Sequence, residues 1–337
     1  MDSFERVISS FKNKHVDRPP VFPHIGDHAG IKNGLTYDIM YKDVKKASKA
    51  HLKTLNLYGY DFIEIQVEPS FSVAEACGAK VNYPKDKNPW IEQHVIRSEN
   101  DLETLEVPDF METQSTKVLI EGTQILADEN KVPVVAFMTG PLTFSLQLMP
   151  YNELLVQFNK NPQFVHNLIL LSVRLIKAYI ESLKDAGAQI LIICEHDVQM
   201  LSPRLFKDYC LDYLPDLFKI YNYNILHMCG KISSHLKIFA DYLKNLEGLS
   251  TLNIGSNVDI EITQQLLDYK IGIAGNIDHI KLLPTGHPEE IKMAVYSAIK
   301  RSGGNPRFML APGCEITSDT PIENVKTFVK AAETYPN

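Results

Sequence analysis

Gln189-Ile190-Leu191-Ile192-Ile193-Cys194-Glu195 is an almost unbroken apolar run that ends on a thiol and a carboxylate. A strand with one wet face alternates apolar and polar residues, so a run this apolar belongs to a parallel sheet covered on both faces. Parallel neighbours need a crossover helix between them. Upstream, Leu142 to Ala186 carries helical periodicity, interrupted near Pro150 and Pro162.

Working outward, the same alternation recurs along the whole chain. Short β-rich runs fall at Val21 to Gly26, Asp61 to Val67, Val132 to Met138, Gln189 to Glu195, Asn222 to Cys229, Gly248 to Ile254, Lys270 to Gly275 and Arg307 to Ala311. Helix-length segments separate them, including Asp38 to Leu57, Val118 to Asp128 and a closing helix from Pro321 to Glu333. A lead-in helix is expected over Met1 to Lys14, where Phe4, Val7, Ile8 and Phe11 keep helical spacing. Ala79 to Tyr83 and Trp90 to Ile96 flank a Pro- and Lys-containing turn and predict an inserted β-hairpin. Eight buried strands interleaved with helices indicate an α/β fold, a (β/α)8 TIM barrel, forming a single domain over residues 1–337. An open doubly wound sheet gives similar alternation. Polar residues favour the barrel: His24, Gln66, Glu68, Thr139, Glu195, Asp197, His227, Cys229, Asn253, Asn276, Asp278 and Cys314 all fall at or just past strand carboxyl ends, which a barrel gathers around one mouth.

Composition narrows the function classes. The chain has 337 residues, 45% hydrophobic and 22% charged, with a formal net charge of -7 and no long block of like charge. Nucleic acid is not an expected partner. The amino terminus lacks the apolar stretch of a signal peptide, and Val165 to Ile180 contains Arg174 and Lys177, so neither secretion nor a membrane span is expected. Five scattered cysteines make no disulfide framework and point to a reducing cytoplasm.

His227 and Cys229 stand two apart on the fifth run, so their side chains share a face. Taken alone, His-x-Cys is weak, because free cysteine is commonly a buried small hydrophobe. Cys314 in Pro312-Gly313-Cys314 ends the eighth run, and a barrel brings the fifth and eighth strands to one funnel. His, Cys and Cys then form a zinc set with one coordination position left for a substrate. His24, Asp27 and His28 form a second polar cluster, in a strand-to-loop segment that suits substrate contact. Glu195, beside His196 and Asp197, is a candidate fourth ligand or orienting group. His24, Gln66, Asn253 and Asn276 are the candidate substrate contacts. No dinucleotide fingerprint, phosphate loop or Gly-x-Ser-x-Gly elbow occurs.

Thr139-Gly140-Pro141-Leu142-Thr143, Gly275-Asn276-Ile277-Asp278 followed by Gly286-His287-Pro288-Glu289-Glu290, and Thr320-Pro321-Ile322-Glu323-Asn324-Val325 resemble the uroporphyrinogen decarboxylase superfamily over nearly the whole chain. His227-Met228-Cys229-Gly230, Leu310-Ala311-Pro312-Gly313-Cys314 and Glu75-Ala76-Cys77-Gly78-Ala79 resemble its zinc-dependent methylcobalamin:coenzyme M methyltransferase branch. That resemblance implies a (β/α)8 barrel, Zn2+ at His227, Cys229 and Cys314, and methyl transfer from methylcobalamin or another methyl-corrinoid to a thiol such as coenzyme M. Zinc would lower the acceptor thiol's pKa, with Glu195 as an exchangeable ligand or proton acceptor. The chain has no Asp-x-His-x-x-Gly corrinoid segment, so a separate corrinoid protein is the expected partner and donor. Two other readings stand beside this one: a metal-free decarboxylase, and a non-catalytic barrel subunit of a corrinoid complex with structural zinc. Against the decarboxylase, the segment Pro23 to Gly30 has no arginine to receive porphyrinogen carboxylates.

Overall fold

The computed structural model describes residues 1–65, 68–196 and 201–336. Six parallel strands form one ladder in chain order: β3 (Val135–Thr139), β4 (Ile190–Cys194), β5 (Asn224–Met228), β6 (Thr251–Ile254), β7 (Gly272–Ile277) and β8 (Phe308–Pro312). The expected hairpin is present as β1 (Lys80–Asn82) and β2 (Trp90–Gln93), paired antiparallel. The expected helix over Leu142 to Ala186 is three helices, Pro141–Leu148, Tyr151–Lys160 and Pro162–Asp185, broken where the prolines fall. The Asp38 to Leu57 stretch divides at Asp43, which accepts a hydrogen bond from the Lys46 amide and so starts a new helix, Val44–Tyr58. No helix among the described residues is long and apolar enough to cross a membrane.

The first two expected strands are a correction. Val21 to Gly26 and Asp61 to Val67 give only single bridges, Val21 with Leu310 and Ile63 with Val134, and Gln66 and Val67 lie outside the described residues. Prolines explain the shortfall, since Pro19, Pro20 and Pro23 have no N–H to donate and Pro133 returns none to the neighbouring segment. The ring nevertheless closes. The Leu310 amide donates to Pro20 O (2.8 Å) and the Phe22 amide to Leu310 O (2.9 Å); the Asp61 amide donates to Val21 O (2.9 Å) and the Ile63 amide to Pro133 O (3.0 Å).

A side-chain network reinforces this join. Asp61 is fully buried, and its carboxylate accepts from Ser3 Oγ, Arg6 Nη1, both terminal nitrogens of Arg18, and the Val21 amide. Two cations and a backbone donor thus offset the desolvation of one buried charge.

Alternate strand residues divide the core. Phe22, Phe62, Val135, Phe137, Ile190, Ile192, Cys194, Ile225, Ala274, Met309 and Ala311 form an inner cluster, into which Val7 and Phe11 of the first helix, Ser3–Phe11, also pack. Residues of opposite parity, such as Leu191, Ile193, Leu226 and Met228, pack in the larger outer cluster with the helices. Two residues beyond Phe22, Phe62 and Ile225 on the inner face come His24, Glu64 and His227, so the apolar interior passes into a polar layer at the mouth.

Candidate metal centre

The inward parity of β5 delivers His227, which is 2% exposed. Cys229 follows one step above it, and Cys314 enters from the turn after β8. Gly313 makes that turn possible: a Cβ there would sit 2.5 Å from the Ser256 amide nitrogen. One donor atom each from His227, Cys229 and Cys314 lie within 4.8 Å of one another. Bonds of about 2.0–2.3 Å to one tetrahedral zinc would place three such donors at comparable mutual separations. The Cys229 thiol beside it and burial both push the Cys314 thiol above its ordinary range, while His227 pulls it down. Two thiols held together against burial are a poor pair of thiolates without a cation between them, so the donor set suits zinc.

The imidazole is oriented by a neighbour. Asn253 of β6 donates Nδ2–H to Ala274 O (3.0 Å), which turns its Oδ1 toward His227 Nδ1, with which it makes a short hydrogen bond, and toward His24 Nε2 at 3.0 Å. A carboxamide oxygen only accepts, so both rings carry a proton on that side, and His227 keeps Nε2 for a metal. Asn253, expected as a substrate contact, is therefore engaged with the His227 and His24 imidazoles. Asn253→Ala is expected to weaken zinc retention about 10–100-fold, read by competition with a chromogenic chelator.

His24 is buried, with its ring centroid 5.4 Å from that of His227, and burial followed by the nearby His227 holds its pKa well below the imidazole range. Its Nδ1 lies 3.8 Å from Glu64 Oε1. Both Glu64 oxygens are buried without hydrogen-bond partners. Burial raises the Glu64 carboxyl well above the usual range, with Glu315 and Cys314 adding to the shift. Glu64 and Glu315 are residues the sequence reading passed over; parity from Phe62 was the available signal for Glu64. Gln66 lies outside the described residues. Asn276 donates to Gly255 O and Val258 O, so it secures the loop after β6.

Glu195 is elsewhere. It follows the inward Cys194 by one residue and so turns to the helix side, fully buried, at the amino end of Pro141–Leu148. Oε1 accepts from the Leu142 amide (3.0 Å) and Cys210 Sγ (3.2 Å); Oε2 accepts from the Thr143 amide (3.0 Å) and Thr143 Oγ1 (2.7 Å). A Cβ on Gly140 would come within 2.3 Å of Glu195 Oε1, so glycine makes room for the carboxylate. These bonds commit it to the helix terminus, where negative charge is favoured. Glu195→Gln would set an amide N–H against donors, costing about 2–4 kcal/mol in urea denaturation while zinc content stays the same.

Over the two cysteines lies a cavity of about 410 Å3, walled by Gly230, Ser256, Asn257, His279 and Lys281. The site thus offers three donor atoms that could hold a metal, at the floor of an open space.

Comparison with known proteins gives a consistent frame. The chain matches the family Uroporphyrinogen decarboxylase (URO-D) over residues 2–335. It is 24% identical to the methylcobamide:CoM methyltransferase MtaA of Methanosarcina barkeri over 98% of this chain and 97% of that protein. It is 22% identical to a uroporphyrinogen decarboxylase of Chloroflexus aurantiacus, over 98% and 96% respectively. A solved methyltransferase from Methanosarcina mazei superposes with a TM-score of 0.87 at 22% identity, covering 99% of this chain and 98% of that one.

Proposed function

We propose, for a chain that belongs to the uroporphyrinogen decarboxylase family, that it moves a methyl group from a methylated corrinoid on a partner protein to a small-molecule thiol, with zinc held by His227, Cys229 and Cys314. The observation that carries the proposal is the approach of those three donors to within 4.8 Å at the mouth. Bound there, zinc would supply a lowered pKa for the acceptor thiol, whose free value of about 8.5 leaves it mostly protonated at neutral pH. The chain's own residues do the rest. Asn253 holds His227 with Nε2 presented, and the cavity over Cys229 and Cys314 gives the acceptor and the corrinoid face a common place to meet. The acceptor sulfur attacks the methyl carbon in line, the S–C bond forms, and the cobalt–carbon bond breaks with its electron pair left on the corrinoid. Positioning of the two reactants is the barrel's main contribution.

The names of the methylcobamide:CoM methyltransferase relatives support this reading, while the decarboxylase relatives keep a second one in view. A porphyrinogen carries several carboxylates, and no arginine lies between Pro23 and Gly30 to receive them. The test is to mix zinc-loaded protein with methylcobalamin and a thiol panel and follow the corrinoid's visible spectrum. Demethylation with thioether formation is expected, falling at least about 100-fold after chelation and returning with zinc. Release of CO2 from a carboxylated ring by metal-free protein would overturn it.

A further inference from the structure

Immediately after Cys314 the chain borders a second cavity, of about 230 Å3, lined by Asp27, Tyr37, Asn88, Glu315, Thr317 and Ser318. Its polar walls are fixed: the Asp27 amide donates to Glu315 Oε1 (2.9 Å), and the Tyr37 hydroxyl bonds Ser318 Oγ (2.8 Å). Asp27 is only 7% exposed, and its Oδ1 has no partner. Glu64 has two more unpartnered carboxylate oxygens, and Glu315 directly follows Cys314 in the chain. Among the described residues no Lys or Arg pairs with Asp27, Glu64 or Glu315. Burial, then Glu68, raises the Asp27 carboxyl to about 7. Carboxylates this buried are ordinarily offset by a cation, and the described residues supply none.

The charge balance at the ligands points the same way. Zinc with two thiolates and a neutral imidazole is neutral, so an acceptor thiolate makes the centre anionic. An acceptor tail of the same sign would sit among carboxylates. A cationic tail would offset them, and 230 Å3, at roughly 30 Å3 per water, holds a short aliphatic amine.

We propose that the acceptor is an aminothiol, its ammonium group seated between Asp27 and Glu315 while its sulfur faces Cys314. This rests on the thiol-acceptor reading above and names the class of thiol. The methyl transfer is unchanged: one S–C bond forms, one cobalt–carbon bond breaks with its pair on the corrinoid, and the ammonium keeps its protons.

The experiment is calorimetric titration of the zinc-loaded full-length protein with thiols of equal length that differ only in the tail: cysteamine, 2-mercaptoethanol and 2-mercaptoethanesulfonate, repeated with the three-carbon homologues. The ammonium thiols are expected to bind about tenfold to a hundredfold more tightly than the hydroxyl thiols, and the sulfonates more weakly than either. Asp27→Asn and, independently, Glu315→Gln are expected to bring the ammonium and hydroxyl Kd values together. Hydroxyl or sulfonate thiols binding as tightly as ammonium thiols would overturn this inference and leave the thiol reading standing. Binding of none of them would overturn both.

Discussion

Cys314→Ala is expected to lower zinc retention and methyl transfer at least about 100-fold while the barrel stays folded. Changes to residues behind a metal ligand typically cost 10–100-fold in affinity or activity, so loss of one of three ligating atoms costs no less. The fold does not depend on the thiol. β8 ends at Pro312, and the backbone beyond it is held by the Gly313 amide donating to Ile277 O (2.8 Å), a bond the substitution does not touch. Cys314 is half-buried and lies outside the apolar clusters of the core. Zinc per chain after dialysis and the thermal unfolding transition, measured on the same sample, separate the possibilities. A folded, metal-poor, inactive variant fits an open catalytic centre; a variant that unfolds assigns the zinc a structural role.

Asp61→Ala should have the largest effect on stability, about 3–5 kcal/mol, because it removes the single anion between two buried or part-buried guanidinium groups. Arg6 keeps Asp17, whose carboxyl it holds well below the usual range, but its Nη1 loses its partner. Arg18 loses the stronger of its two ion pairs, keeping only a 3.8 Å contact to the half-exposed Glu333. The Val21 amide, one of the donors at the closing join, is left without its acceptor. Urea denaturation measures the loss. Zinc affinity in the folded fraction is expected to stay level, since His227, Cys229 and Cys314 stand on or beyond β5 and β8 at the mouth.

Much of this was legible in the residues, and the failures have physical causes. Apolar runs such as Ile190 to Cys194 mark the six ladder strands because parallel strands are buried on both faces. Pro150 and Pro162 mark helix breaks because proline cannot continue a helix. His227 and Cys229 were readable as a pair from strand parity, and Cys314 joined them once the barrel was assumed. Parity applied to Glu195 would have corrected its reading as well: one residue past the inward Cys194, it turns toward the helices, where four donors await it. Asn253 was seen as polar and near the mouth, but no sequence pattern reveals that two imidazoles share its oxygen, because His24, His227 and Asn253 come from three separate segments. The first two strands were overread, since alternation of residue type says nothing about whether the neighbouring segment has an N–H to give.

That last point has a mechanical consequence. His227 stands on, and Cys229 and Cys314 just beyond, a continuous ladder from β3 to β8, with up to five residue pairs between neighbouring strands. The wall opposite, which carries His24, Asp27 and Glu64, is stitched in by a few main-chain bonds and anchored at its far end by Asp61. One side of the mouth thus rests on many ladder bonds and the other on few. The spacing of His227, Cys229 and Cys314 is thus set by the continuous ladder, and that of His24, Asp27 and Glu64 by the sparser join.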